Sequence, residues 1–144
     1  MLIDEGLELL DDEQSLELLR SGTVGRVGLT IGAMPAIFPV NYAIVDGCIL
    51  FRTSPGTKLT AAASDTVVAF EVDDYDPTLR GGWSVLAVGP SEVVRDPSPT
   101  LLLKIAHLVP YATGPRTSIV RIRPEMLSGR RIIPAITDCL SSQS

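Results

Sequence analysis

The chain has 144 residues, with 12 Lys and Arg against 17 Asp and Glu and a formal net charge of −5. That length fits one domain, which buries about two-thirds of its unfolded surface, and 45% hydrophobic with 20% charged residues is a globular rather than a disordered composition. The acidic balance excludes a general nucleic-acid-binding face, and no apolar run reaches the ~18 residues that a membrane-spanning helix needs.

The N-terminal stretch MLIDEGLELLDDEQ is acidic and lacks the basic start and apolar run of a secretory signal. Cys48 lies in an apolar run and Cys139 in a polar tail, with neither a metal-ligand spacing nor a disulfide framework. A reducing, cytoplasmic setting is therefore expected, and no metal site is assigned.

The first predicted element is a helix. Asp11 caps it, Gln14 completes a capping box, Leu16, Leu18 and Leu19 form its apolar side, and Gly22 ends it. From Val27, Leu29 and Ile31 alternate with Gly28 and Thr30 in the period of a strand. GAMP reads as a turn and AIFPVNYAIV as a second strand, in which Pro39 marks an edge or a bulge because it has no N–H. Asp46-Gly47 is a hairpin turn of the primed type, and CILFRT is the returning strand.

GTKLTAAAS is predicted as a short helix starting near Gly56, TVVAFEV as a strand and DDYDPTLRGG as a polar loop. WSVLAVGPSEVV reads as a long strand bent at Gly89-Pro90. SPTLLLKIAHLV reads as a helix with Ser98 as its cap and Pro99 at its first position. SIVRIRPEML and GRRII close the fold as strands. Residues 1–133 then form a single domain, followed by a flexible tail at 134–144. Six to seven mostly antiparallel strands with short peripheral helices predict a mainly-β fold, a small closed or nearly closed barrel. An open α+β sheet is the alternative.

The stretch FRTSPGTKL carries the clearest chemistry. Arg52, Thr53, Ser54, Thr57 and Lys58 surround a Pro-Gly turn between the end of a strand and the start of a helix. An Arg fork, a Lys point charge, hydroxyls and a helix N-terminus together suit a phosphate monoester. The competing reading is capping residues flanked by solvated cations. Only GTK of the phosphate-loop motif is present, so a nucleoside triphosphate is not implied. Asp73, Asp74 and Asp76 read as a solvated turn, and no nucleophile–base arrangement supports a hydrolase. His107 stands alone and reads as a packed or surface residue.

The segments GRVGLT, PAIFPVNYAIVDGCILFRTSPGTKL, VVAFEVD and GWSVLAVGPSEVV resemble the pyridoxamine 5′-phosphate oxidase-like flavoproteins, in order and near their spacing. The short actinobacterial-type members are the nearer match, and the resemblance runs from about Leu10 to Ile132. It implies a split β-barrel, a homodimer, and FMN in the dimer groove. On matching positions it implies that Arg52, Thr53 and Lys58 hold the FMN phosphate, with Phe51 ending the strand that carries them. Pro39, Val40, Asn41 and Tyr42 would line the isoalloxazine edge. Ser84 would touch the cofactor, and Trp83 would either cover a ring face or serve as a core or interface aromatic.

The chain also departs from that family. Its C-terminal SGRRIIPAITD has no histidine, so vitamin B6 oxidation is not implied, and Arg130 and Arg131 read as a solvated strand end. His107 does not carry nitroreduction. The expected function is an FMN-dependent oxidoreductase acting on a small molecule, with no catalytic side chain assigned, since flavin enzymes take mainly orientation and electrostatics from the protein. The alternatives are a reductase using the deazaflavin F420, a flavin- or haem-binding module without turnover, and a barrel that has lost its cofactor.

Overall fold

The computed structural model describes residues 2–4, 7–108 and 117–132. Its elements in chain order are β1 (Leu2–Asp4), β2 (Leu7–Leu10), α1 (Asp12–Ser21), β3 (Val24–Ile31), β4 (Met34–Val45) and β5 (Cys48–Thr53). They continue with α2 (Lys58–Ala62), β6 (Thr66–Asp76), β7 (Gly81–Val94), α3 (Pro99–Ile105), β8 (Ser118–Ile122) and β9 (Met126–Ile132).

Six strands close an antiparallel ring in the order β7-β6-β3-β4-β5-β8, with β8 returning to β7. β9, β2 and β1 extend the sheet from the other part of β7. The barrel expected from the sequence is present, and the open sheet is not. Alternate residues of the ring strands fill its interior. Val27, Ile49, Phe51, Phe70, Val85, Val120 and Ile122 are buried there, and Leu19 of α1 and Leu59 of α2 join the same cluster. Tyr42 and Phe70 meet edge to face with ring centres 5.0 Å apart. α3 packs outside the ring, where Ile105 and Leu108 cover Leu50 and Ile119.

Local chemistry explains most boundaries. Asp11 accepts from the Gln14 backbone at 2.8 Å, and the Gln14 side chain accepts from the Asp11 N–H at 3.0 Å, which completes the capping box. Gly22 ends α1 in extended rather than left-handed backbone. Asp46 and Gly47 both take positive φ (52° and 74°), as a type I′ hairpin requires. Pro39 pairs with Arg26 of β3, on the part of β4 for which no pairing with β5 is formed. The missing N–H costs little on a flank with no partner strand.

β7 changes partner at Gly89-Pro90, pairing with β9 up to Val88 and with β8 from Ser91. The Arg123 and Glu125 N–H groups donate to the Pro90 and Val88 carbonyls at 3.0 and 2.9 Å, holding the 123–125 link across that bend.

Several boundaries differ from the sequence reading. β1 and β2 were not expected, because the acidic N-terminus conceals their short apolar runs. β6 and β7 run through most of the expected polar loop, pairing as far as Asp76 with Gly81, so the turn is only 77–80. Both faces of that hairpin tip are largely exposed, so no alternation marks it. α2 begins at Lys58 with Thr57 as cap, not near Gly56. α3 ends at Ile105, short of the expected stretch, and Pro124 separates β8 from β9. Nine strands are present among the described residues; six form the ring, as expected of the barrel, and β1, β2 and β9 are additional. The 134–144 tail and Cys139 lie outside the described residues.

On the outer face, Arg26 of β3 approaches Glu71 at 3.5 Å and Asp73 at 3.6 Å. Partial burial and the neighbouring Asp73 carboxylate push Glu71 up to about 7, against the pull of Arg26. A carboxyl raised on folding stabilises fully below its unfolded range and loses that contribution as pH rises through its folded value. Glu71→Gln is therefore expected to match the parent Tm near pH 4.5 and to exceed it at pH 8. Thermal unfolding at both pH values checks this, and a constant offset between the two proteins would exclude it.

Candidate functional site

The expected site residues fall into three groups. The first is the β5–α2 corner. Phe51 and Thr53 point into the barrel, 0% and 1% exposed, and Arg52 between them points out, as the strand period dictates. The Thr53 hydroxyl, expected to help hold a phosphate, faces the barrel interior, and Phe51 is a core side chain. The Thr57 hydroxyl is committed to capping: it accepts from the Thr60 N–H at 3.1 Å and bonds the Ser54 carbonyl at 3.0 Å. α2 has five residues, too short for a strong end charge. Lys58 is exposed in its first turn.

Arg52 is partly engaged. Its Nε and Nη2 donate to Thr117 Oγ1 at 3.3 and 3.0 Å, and Nη1 donates to the Leu108 carbonyl at 3.2 Å. The guanidinium thus ties β5 to Leu108, after the end of α3, and to Thr117, the residue before β8.

The second group lies on β4. Val40 is 2% exposed and belongs to the barrel core, so its side chain does not line a ligand edge. Pro39 is exposed on the outer face. Asn41 and Tyr42 line a cleft of about 690 Å³ together with Arg20–Thr23, Ala43–Val45, Lys104, His107 and Leu108. The Tyr42 hydroxyl donates to the Leu19 carbonyl and receives the Gly22 N–H, pinning the end of α1 beside the cleft. Burial pushes this phenol up to about 12, so it stays protonated.

The third group is Trp83 and Ser84 on β7. They line a separate cleft of about 430 Å³ with Leu7, Asp73, Asp74, Tyr75, Arg130 and Ile132. Trp83 also packs against the barrel core. No residue lines both clefts, and β3 and β6 lie between β4 and β7. One chain therefore does not bring Trp83 and Ser84 to Asn41 and Tyr42.

Three further residues of the sequence are now placed. His107 is exposed on the wall of the larger cleft, and Arg130 borders the smaller one. Arg131 pairs with Glu8 at 3.4 Å and is a strand-to-strand brace. The sequence reading missed Arg20 and Lys104. Each lies in the last turn of its helix, where a cation is ordinarily read as complementing the helix end. Among the described residues, no group of His, Cys, Asp and Glu side chains could hold a metal ion, and no helix is long and apolar enough to cross a membrane.

The 690 Å³ cleft lies within the usual range for small-molecule sites, roughly 300–1,000 Å³. Ala43, Ile44, Val45 and Leu108 give it an apolar wall, and among the described residues no Asp or Glu lines it. Through the Arg52–Leu108 bond it adjoins the corner read from the sequence as phosphate-binding.

Comparison with known proteins agrees with this architecture. A family model for pyridoxamine 5′-phosphate oxidase matches residues 11–131. The uncharacterized protein Rv0080 of Mycobacterium tuberculosis is 38% identical over 130 residues, covering 86% of this chain and 84% of that protein. The FAD binding protein from Mycobacterium smegmatis is 36% identical, with a TM-score of 0.73 over 88% of this chain and 100% of that one. The conserved protein of unknown function DIP1874 from Corynebacterium diphtheriae is 30% identical, with a TM-score of 0.72 over 90% of this chain and 100% of that one. With a barrel of this topology and a family match over most of its length, the chain belongs to the pyridoxamine 5′-phosphate oxidase family.

Proposed function

We propose that this chain is a flavin-dependent oxidoreductase that holds FMN in the cleft over β4 and works as a homodimer on a small molecule. One observation carries the reading: the 690 Å³ cleft is lined by Asn41 and Tyr42 and abuts, through Leu108, the corner that bears Arg52 and Lys58. Arg52 does not line the cleft itself, but its bond to the Leu108 carbonyl sets the two segments that the resemblance assigns to one cofactor side by side. Membership of the family supports the cofactor class. The FAD binding protein from M. smegmatis makes the dinucleotide the second reading.

The residues fit such a group. Flavin, when bound, supplies hydride or electron transfer between a reductant and an acceptor. The chain supplies the surroundings. Ala43, Ile44, Val45 and Leu108 form an apolar wall, and the Pro39–Val40 part of β4, which among the described residues pairs with β3 and not with β5, offers a backbone edge beside it. Lys58 offers a point charge to a phosphate. Arg52 retains two of its five N–H donors after bonding Thr117 and Leu108.

The separation of the two clefts supports the homodimer reading. If Trp83 and Ser84 contact the cofactor, they do so from a second copy. The free thiol of Cys48 supports placing the protein in the cytoplasm.

Lys58→Ala is expected to weaken FMN binding by about 1.5–3 kcal/mol, the range for a charge-assisted bond, and to leave Tm unchanged because the side chain is exposed. Fluorescence titration measures the affinity, and an unchanged Kd would remove Lys58 from the site.

A further inference from the structure

We propose that the cleft between α1, β4 and α3 contains an anion subsite made by Arg20, Lys104 and His107, separate from the Arg52–Lys58 corner. It takes a phosphate or diphosphate group. The inference deepens the flavin reading by assigning a second ligand position in the same cleft, and its test does not require that flavin binds.

The charge of the lining carries the argument. In a chain with 17 acidic and 12 basic residues, this wall has Arg20, Lys104 and His107 and, among the described residues, not one Asp or Glu. Ser21 and Thr23 add hydroxyls, and the apolar residues Ala43, Ile44, Val45 and Leu108 lower the local dielectric, which strengthens attraction to an anion. Both flanks are fixed: Tyr42 holds the end of α1 at Leu19, and Arg52 holds Leu108.

Competing partners are weak. Arg20 approaches Glu17 at 3.7 Å in a solvent-exposed pair, the kind that contributes little. Among the described residues, no carboxylate pairs with Lys104 or His107. The other reading is that Arg20 and Lys104 only complement the C-terminal ends of α1 and α3.

The chain has one histidine, so its imidazole proton resonance reports on this cleft without ambiguity. The experiment is a proton NMR titration of the full chain with pyrophosphate, repeated after saturation with FMN and compared with FAD, FMN and riboflavin as titrants. Pyrophosphate is expected to move the His107 resonance saturably. An Arg20→Gln/Lys104→Gln double variant, changed only at exposed positions, should bind pyrophosphate at least about tenfold more weakly.

A pyrophosphate response that persists in the FMN-saturated protein assigns the site to a free anionic substrate. A response to FAD that FMN and riboflavin do not produce assigns it to the diphosphate of a dinucleotide. The proposal is overturned if the resonance moves no more than in sodium chloride of equal ionic strength, if riboflavin moves it as much as FAD does, or if the double variant responds like the parent. Flavin absorbance in the same samples reports separately on whether flavin binds.

Discussion

Gly89→Ala is expected to lower the stability of the flavin-free protein by about 3 kcal/mol or more, the upper part of the range for overpacking against atoms that cannot move. A Cβ on residue 89 would lie 1.9 Å from the Arg123 carbonyl oxygen and 2.9 Å from its carbonyl carbon. Those atoms belong to the 123–125 link, which the Pro90 and Val88 carbonyls hold on either side. Moving the link would strain the point where β7 passes from β9 to β8 and the ring closes. The control is Gly28→Ala in β3, whose added Cβ meets the Ala69 Cβ at 3.7 Å and the Ala69 carbonyl oxygen at 3.9 Å, both ordinary contacts. Urea midpoints of both variants decide the matter. Closely similar midpoints would mean that the bend tolerates a side chain and that ring closure does not depend on it.

Arg52→Ala has the second-largest expected effect. Its removal leaves the Leu108 carbonyl and the Thr117 hydroxyl without their charged donor. Hydrogen bonds to charged groups contribute about 1.5–3 kcal/mol, so a stability loss of that order is expected before any ligand is added. Flavin affinity should fall as well, because Leu108 forms part of the cleft wall. The contrast with Lys58→Ala is diagnostic. Both changes remove one cation from the same corner, but only Arg52 links β5 to the segments on either side of it. An Arg52→Ala protein as stable as its parent, with weakened flavin binding, would make Arg52 a ligand residue alone.

The elements legible in the sequence were those with local causes. The Asp11–Gln14 capping box, the Asp46-Gly47 turn and the Ser98-Pro99 helix start each rest on chemistry within four residues, and all three are present. The bend at Gly89-Pro90 was legible for the same reason. Its meaning, a change of partner strand, was not, because that depends on β8 and β9 far along the chain. The hairpin through Asp73–Asp76 was missed because pairing there is not accompanied by burial. β1 and β2 are three and four residues long, too short for periodicity to identify.

The candidate site was legible in part. Arg52 and Lys58 stood out as cations in an acidic chain, but the strand period alone places Thr53 inside the barrel and Arg52 outside it. That argument was available from CILFRT and conflicts with assigning both side chains to one ligand. Arg20 on α1, Lys104 on α3 and His107 just after α3 come together over β4 only in the folded chain. Nothing in their spacing links them, so a lone histidine just past a short helix gave no signal of a shared wall.

The most direct test of the account is a titration of the purified protein with FMN, FAD, F420 and haem in parallel, followed by cofactor absorbance and Trp83 fluorescence. The account predicts saturable binding of a flavin nucleotide at one per chain, weakened by Lys58→Ala while Tm stays unchanged. Binding of F420 or haem in preference to both flavins, or of none of the four, would contradict it.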